Sequence, residues 1–329
     1  MLNKCLWLPA LAGCFLFHPL PAGAADVMED FTANPLDHGW VTRGDASLFR
    51  WNSSSGKLAV TWDSSTANSY FARPLGSVIS DQHDFGVTFD LLLEDFQAGI
   101  NPAKPNPFQL AAGFVRLEHA VSPSFARGSG ADAPNLVEFS FFPDPGGTWI
   151  WGPSLMATMI DWTGTNWSSG GFAPLGLTVN EVFRITLSYT AADRTLRTTL
   201  TRDGIPYGPV ADAQFGSEFR GFQVDHFAIC SYSDAGQDPF YSGSIIAHGQ
   251  VDNISIALPL ILIGRLDQGV WQATFSSKAD VAYYLERTTD WATWVAVAGP
   301  VTGNGGELSV TDPNPPADQA FYRVRAGGQ

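Results

Sequence analysis

The sequence predicts an all-β protein in which a large antiparallel β-sandwich is followed by a small one. Three observations carry this prediction. Apolar and polar residues alternate over many short spans, as they do in strands with one buried face. The spans are separated by clusters rich in Gly, Pro, Asn and Asp, drawn from 33 glycines and 22 prolines, at which no helix could continue. No segment shows a helical period over three turns.

The first 25 residues have the pattern of a signal peptide. Lys4 precedes an apolar run that ends at Phe17, which is too short to span a membrane, and the small residues Ala22 and Ala24 flank a cleavage site. We therefore expect residues 1–25 to be removed and the protein to be secreted or held at the cell surface. The alternative is a lipoprotein, because residues 11–14 (Leu-Ala-Gly-Cys) offer Cys14 for acylation.

The net charge and the cysteine content limit which binding partners and which cross-links the protein can have. The formal net charge is −14, and it becomes −15 after cleavage because Lys4 is the one charged residue among the first 25. An acidic protein is a poor partner for nucleic acid or an anionic membrane. Cys230 would be the sole cysteine left, which excludes an intramolecular disulfide, and its apolar neighbours favour a small buried hydrophobic residue.

The early strands follow from the alternation. Apolar residues recur at every second position in residues 58–62 and again in residues 85–93, and a further apolar segment runs from Leu136 to Phe142. Proline-rich breaks at residues 100–107 and 142–147 separate these segments from the next ones. Each segment is predicted to be a strand with at least one face in a core.

A hairpin is predicted at residues 182–204, where two alternating strands flank a turn at residues 191–194. This hairpin with its terminal Asp203-Gly204, together with the late strand at residues 251–256, resembles the concanavalin A-like lectin and glucanase superfamily. The resemblance covers residues 26–258. It implies an antiparallel jelly-roll β-sandwich whose late strand closes against an early strand near the N-terminus, and it is hardly specific for function.

Residues 259–329 are predicted to form a separate small β-sandwich. Five short strands are expected at residues 270–275, 282–287, 294–297, 307–310 and 320–325. Residues 283–286 (Tyr-Tyr-Leu-Glu), residues 290–294 and residues 321–324 (Phe-Tyr-Arg-Val) are similar to fibronectin-III-like C-terminal modules of secreted bacterial proteins. The resemblance implies a spacer, an adhesion unit or a sorting unit.

The carboxylates give weak support to catalysis. Glycosidases use two facing carboxylates, and retaining laminarinase-like enzymes take them from one strand in the pattern Glu-x-Asp-x-x-Glu, which is absent here. No catalytic residue is therefore assigned. The fallback pair is Glu118 and Glu138, expected on two strands that could pair as a hairpin.

Metal binding is also weakly indicated. No His-x-x-x-His or Cys-x-x-Cys grouping occurs, so no metal or other cofactor is predicted. The strands of His226 and His248 are expected to be hairpin neighbours. A structural polar cluster is the favoured interpretation of this arrangement, and calcium held by Asp225, Asp252 and Asn253 is the alternative.

The tryptophans offer the best candidate for ligand binding. Sugars present flat C–H patches that stack on indole rings, while Asp and Asn bond to the hydroxyls at the rim. The proposed ligand-binding residues are Trp149, Trp151, Asp161, Trp162, Asn166 and Trp167. The alternative is that these tryptophans fill the core, and it applies above all to Trp149 and Trp151.

Three functions remain open. The first is a secreted or surface-associated, non-catalytic binding or adhesion protein whose partner is an extracellular polysaccharide or glycan. The second is a polysaccharide-degrading hydrolase or lyase that uses Glu118, Glu138 or a histidine. The third is a structural component of the cell surface.

Overall fold

The computed structural model describes residues 26–128, 133–144, 146–147 and 152–326. The predicted signal peptide, the acylation candidate Cys14, Trp149 and Trp151 lie outside the described residues. Within them the chain is almost entirely β-structure. None of the described helices is long and apolar enough to cross a membrane.

The large unit contains 16 of the described strands. In chain order they are β1 (Asp26–Glu29), β2 (Val41–Arg43), β3 (Phe49–Asn52), β4 (Lys57–Asp63), β5 (Ser69–Ser80), β6 (Phe85–Ala98), β7 (Leu110–Val115), β8 (Leu136–Phe142), β9 (Ser154–Ile160), β10 (Trp167–Ser169), β11 (Val182–Thr190), β12 (Thr195–Arg202), β13 (Ile205–Tyr207), β14 (Ala213–Gln214), β15 (Gln223–Ser231) and β16 (Ile245–Ala257). Short 3₁₀ turns lie at Pro35–His38 and Ala46–Leu48, and the short helix α1 lies at Leu117–Ala120.

These strands form two antiparallel sheets of a jelly-roll sandwich. The nine-stranded sheet has the order β13-β12-β11-β6-β16-β4-β3, with β1 paired to β16 and β14 paired to β12. The seven-stranded sheet has the order β10-β9-β8-β7-β15-β5-β2. Aromatic residues from the inner faces meet between the sheets: the rings of Phe89 and Phe139 are 6.2 Å apart, and those of Phe85 and Phe114 are 4.8 Å apart.

Two predictions about strand pairing are confirmed. The hairpin forms, with β11 and β12 in antiparallel register from Phe183 opposite Arg202 to Thr190 opposite Thr195. The late strand β16 pairs with the N-terminal strand β1, so that Ile256 lies opposite Val27. The hairpin follows from alternation and turn residues, which are local properties of the sequence, whereas the pairing of the late strand with an early strand was implied by the resemblance.

Two predictions about strand placement are wrong. His226 lies on β15 in the seven-stranded sheet and His248 on β16 in the nine-stranded sheet, so their strands are not hairpin neighbours. Glu118 is not on a strand, because β7 ends at Val115 and Glu118 belongs to α1. β7 and β8 do pair, but Gly113 lies opposite Glu138.

The C-terminal region forms a second, smaller sandwich. Its strands are β17 (Ile263–Asp267), β18 (Val270–Ser276), β19 (Ala282–Thr288), β20 (Val295–Thr302), β21 (Glu307–Asp312) and β22 (Phe321–Ala326). They form two three-stranded sheets, β17-β18-β21 and β20-β19-β22. The five predicted strands are present, and β17 is an additional one. The likeness to fibronectin-III modules stays a prediction.

Candidate functional site

The candidate site begins on the outer face of the seven-stranded sheet. Because Phe139 points between the sheets, its neighbours Glu138 and Ser140 on β8 point to the opposite face. The residues beside them in the sheet are small: Gly113 lies opposite Glu138, and Ala111 lies opposite Ser140. A Cβ atom on Gly113 would come within 2.5 Å of the Glu138 Cα atom. The glycine therefore leaves the room that Glu138 occupies.

Glu138 is fully buried and forms an ion pair with Arg127. Its Oε1 atom accepts hydrogen bonds from Arg127 Nε at 2.9 Å, from Arg127 Nη2 and from Ser140 Oγ at 3.0 Å. Its Oε2 atom accepts a hydrogen bond from the hydroxyl of Tyr232 at 2.9 Å. Burial alone would lower the pKa of Arg127, but the negative charge of Glu138, its hydrogen bond and the influence of Tyr232 and Cys230 together outweigh burial and raise the pKa. The guanidinium of Arg127 therefore keeps its charge, and each oxygen of Glu138 accepts at least one hydrogen bond.

Gln109 continues this network toward the surface. Its Oε1 atom lies 3.4 Å from Arg127 Nη2, and the residue is 3% exposed. A guanidinium group can only donate, so it fixes the carbonyl end of the amide toward Arg127 and the NH₂ end away from it. Nε2 of Gln109 has no hydrogen-bond partner among the described residues. The network thus ends in a buried, unused donor.

This donor lies at a cavity of about 60 Å³. We name it the aromatic cavity, and the residues that define it here are Phe108, Gln109, Arg127, Phe142, Trp167 and Phe172. Gln109 precedes β7, Phe142 ends β8, Trp167 begins β10, and Arg127 follows α1. The rings of Phe142 and Phe172 meet edge to face at 5.3 Å. Four separate segments of the chain therefore build a mostly apolar cavity, and Gln109 Nε2 is a buried donor in it that no described residue pairs.

Trp167 stands at this cavity with 54% of its surface exposed, and Trp162 is 53% exposed. Neither indole fills the core, so the core-filling alternative is wrong for these two residues. Trp167 lines the aromatic cavity, whereas Trp162 is not among the lining residues.

Asp161 and Asn166 hold the connecting loop in shape. Asp161 is fully buried and accepts hydrogen bonds from Thr163 Oγ1 at 2.6 Å, from Asn166 Nδ2 at 2.8 Å and from three backbone N–H groups, those of Thr163, Asn166 and Arg220. Burial raises the pKa of Asp161, but the hydrogen bonds from Thr163 and Asn166 outweigh it, and the pKa lies below its ordinary range. The carboxylate of Asp161 therefore stabilises the loop that carries Trp162 and Trp167.

The fallback catalytic carboxylates differ in their surroundings. Glu118 is exposed on α1, whereas Glu138 is buried with four donors on its two oxygens. They do not share the hairpin that the sequence suggested.

The fallback calcium ligands are also dispersed. Asp225 lies on β15 and accepts hydrogen bonds from Leu117 N and His226 Nδ1, whereas Asp252 and Asn253 lie on β16 in the other sheet. The expectation that these three residues meet is therefore wrong. Across residues 26–128, 133–144, 146–147 and 152–326, no group of three or more His, Cys, Asp or Glu residues is placed to hold a metal ion.

Arg127 and Gln109 were not among the candidate residues from the sequence. The available signal was Glu138 itself, a single acid within the apolar run of residues 136–142. A charge in a strand that is otherwise apolar implies a buried partner. Nothing local identifies that partner, because Arg127 lies in a separate loop.

No family model matches the chain, and no curated protein is similar to it in sequence. Among solved structures the chain is similar to lectin II from Ulex europaeus, with 12% identity and a TM-score of 0.42 over 71% of this chain and 98% of the lectin. It is also similar to the PL-14 alginate lyase from Aplysia kurodai, with 12% identity and a TM-score of 0.45 over 72% of this chain and all of the lyase. Peanut lectin gives 13% identity and a TM-score of 0.42 over 72% of this chain and all of that lectin. Likeness at this level concerns the fold and carries no statement about function.

Proposed function

We propose that the protein is a secreted or surface-associated, non-catalytic carbohydrate-binding protein, and that it binds its glycan at the aromatic cavity. The observation that carries the proposal is the exposed indole of Trp167 beside a cavity that contains an unused buried donor, Gln109 Nε2. An indole face stacks on the C–H patch of a sugar ring, and a convergent donor bonds to a sugar oxygen. Trp167 thus supplies contact area for the sugar ring, and Gln109 fixes the orientation of the sugar through a hydrogen bond.

Trp162 and the loop at residues 161–167 extend the proposed surface. Trp162 exposes about as much of its surface as Trp167, and the buried Asp161 fixes the backbone that carries both. A rigid loop loses less conformational entropy when a ligand binds. We assign Trp162 to a secondary contact with the remainder of an oligosaccharide, and Asp161 and Asn166 to positioning rather than ligand contact.

The surroundings of Glu138 favour binding over catalysis. A general base must come within hydrogen-bond reach of the substrate, whereas Glu138 is fully buried and its oxygens accept hydrogen bonds from Arg127, Ser140 and Tyr232. We therefore assign Glu138 to holding Arg127 in place.

The test begins with a screen of the protein on a glycan array, with and without EDTA. We expect binding that persists in EDTA. Calorimetry on a glycan that binds then compares the wild type with Trp167→Ala. Losing a stacked indole should cost about 1–3 kcal/mol, which is about a five- to 150-fold loss of affinity.

The matched control is Trp291→Ala. Trp291 is 63% exposed and lies in the small C-terminal sandwich, in the turn between β19 and β20, so its loss should leave the affinity unchanged. Equal affinity of Trp167→Ala and wild type would contradict the proposed site. Release of reducing sugar or of unsaturated ends from the bound polysaccharide would replace the binding function with the enzyme alternative, and no binding to any glycan would favour a structural role.

A further inference from the structure

The size of the aromatic cavity limits what can enter it. A dry cavity of about 150 Å³ holds benzene, which has six heavy atoms, so about 60 Å³ admits a group of about two or three heavy atoms and not a pyranose ring. A sugar stacked on Trp167 would therefore place only a substituent in the cavity. The donor, the aromatic rings and the charge of the cavity limit which substituent can bind there.

One side of the aromatic cavity carries a hydrogen-bond donor. Gln109 Nε2 is buried without a partner among the described residues, and leaving such a group unpaired in a complex is unfavourable. The orientation of the amide is set by Arg127 Nη2, which donates to the carbonyl end at 3.4 Å. The entering group must therefore present a hydrogen-bond acceptor to Gln109.

Another side of the aromatic cavity is apolar. Phe108 and Phe142 are 3% and 6% exposed, and Phe172 packs edge to face on Phe142. Beside these rings a hydroxyl group would meet no strong hydrogen-bond acceptor, whereas a methyl group packs against them. The entering group must therefore combine an acceptor with an apolar end.

Charge argues against an acidic substituent. The positive charge of Arg127 is matched by Glu138 at ion-pair distance, and the whole chain carries a formal net charge of −14. A carboxylate or sulfate would enter a cavity whose described lining residues offer no free cation, in a protein whose overall field repels it. Neutral substituents remain.

We propose that the aromatic cavity binds an acetyl group carried by a neutral sugar. The carbonyl oxygen accepts a hydrogen bond from Gln109 Nε2, the methyl group packs against Phe142 and Phe172, and the sugar ring stacks on Trp167. This inference rests on the proposed function, because it names the substituent recognised at the same site. An ester and an amide present the same carbonyl and methyl groups, so both are candidates.

The experiment measures affinity by calorimetry for two matched pairs of ligands. One pair is tri-N-acetylchitotriose and cellotriose, which tests the amide. The other is acetylated xylotriose and the same sugar after saponification, which tests the ester. We expect the acetylated member of at least one pair to bind about tenfold more tightly than its match.

Two variants assign the preference to the donor. Gln109→Glu keeps the size of the side chain and its acceptor toward Arg127 but replaces the donor by an acceptor, and Gln109→Leu removes the donor. Both should reduce the ratio of affinities within a pair to about one. Trp291→Ala should leave the ratio as in the wild type, and a thermal melt of each variant shows that it is folded.

The failures of the two proposals are distinguishable. If both members of each pair bind equally and Trp167→Ala weakens both, the acetyl proposal is overturned and carbohydrate binding stands. If acetylated sugars are preferred but the Gln109 variants keep the preference, the assignment to this cavity is overturned. If neither acetylated ligand binds, the acetyl proposal is overturned, and the glycan array alone decides the proposed function.

Discussion

Glu138 and Arg127 illustrate how a buried charge constrains its neighbours. Removing a carboxylate from water is unfavourable unless an opposite charge and hydrogen bonds replace the water. Arg127, Ser140 and Tyr232 supply these, and the absence of a side chain on Gly113 supplies the space. The pair also positions Gln109, which is the last polar group before the aromatic cavity.

We predict that Glu138→Gln strongly destabilises the protein, because it leaves the guanidinium of Arg127 buried without a counter-charge. Breaking a buried ion pair by removing one partner costs about 3–5 kcal/mol. Denaturant unfolding of the variant measures this loss directly.

The control for this prediction is Glu118→Gln, an exposed carboxylate on α1 whose replacement should change the free energy of unfolding by less than about 0.5 kcal/mol. If Glu138→Gln unfolds with the same midpoint as Glu118→Gln, the ion pair does not have the structural role assigned to it. A loss of function in Glu138→Gln is evidence for catalysis only when the variant is as stable as wild type.

At the scale of single residues, the sequence predicted which side chains are exposed better than which side chains contact each other. Trp162 and Trp167 were proposed as ligand-binding residues, with burial in the core as the alternative, and both are exposed. The role of Gln109 was not predictable, because it depends on a contact with Arg127, 18 positions away in the chain. Such a contact leaves no periodic pattern in the sequence.

The loop at residues 161–167 is an element organised around one carboxylate. Asp161 accepts hydrogen bonds from Thr163, Asn166 and the backbone of Arg220, and it is the residue that follows β9. The pKa of Asp161 lies below its ordinary range, so the ionised form is the one that stabilises the fold. Its contribution is fully present above the pKa of the unfolded chain, about 3.9, and is lost as the pH falls through the lower folded value.

We predict that Asp161→Asn lowers the melting temperature at neutral pH and flattens its dependence on pH below about pH 4. The amide keeps one acceptor but loses the charge that holds several donors, which should cost about 1–3 kcal/mol. Thermal melts of both proteins from about pH 6 to pH 2 measure the difference. Parallel curves over that range would show that the carboxylate does not control the loop.

Strands and hairpins were predictable where their signals are local, but the assignment of strands to sheets was not. The hairpin of β11 and β12 follows from alternation around a short turn. The placement of β15 and β16 in different sheets depends on contacts with β7 and β6, far away in sequence. The calcium prediction failed for this reason, since it needed Asp225 and Asp252 on neighbouring strands.

On the scale of the whole molecule, the buried hydrophobic residues that the structure describes form two separate clusters. The larger one lies between the nine- and seven-stranded sheets, and the smaller one contains Phe275, Tyr283 and Leu285 between the two three-stranded sheets. The segment at residues 258–262 connects them, and its side chains are divided: Ile261 packs on the large cluster, whereas Leu260 and Leu262 pack on the small one. The connecting segment is therefore apolar because its side chains pack on both cores.

We predict that the large sandwich folds independently of the small one. A unit with its own core can unfold cooperatively without its neighbour, and the proposed boundary after residue 258 falls between β16 and β17.

A fragment of residues 26–262 keeps Ile261 on the large core, whereas a fragment of residues 26–258 removes it. In calorimetry the longer fragment should melt within a few degrees of the large-unit transition in the intact protein. The shorter one should melt at a lower temperature, because it loses the partly buried Ile261, whose contribution is below the value of about 1.5–3 kcal/mol for a fully buried isoleucine. Both fragments should still bind the glycan, since Gln109 and Trp167 lie in the large unit. Aggregation of the 26–262 fragment, or a single transition of the intact protein that neither fragment reproduces, would mean that the two sandwiches stabilise each other through an extensive interface and form one cooperative unit.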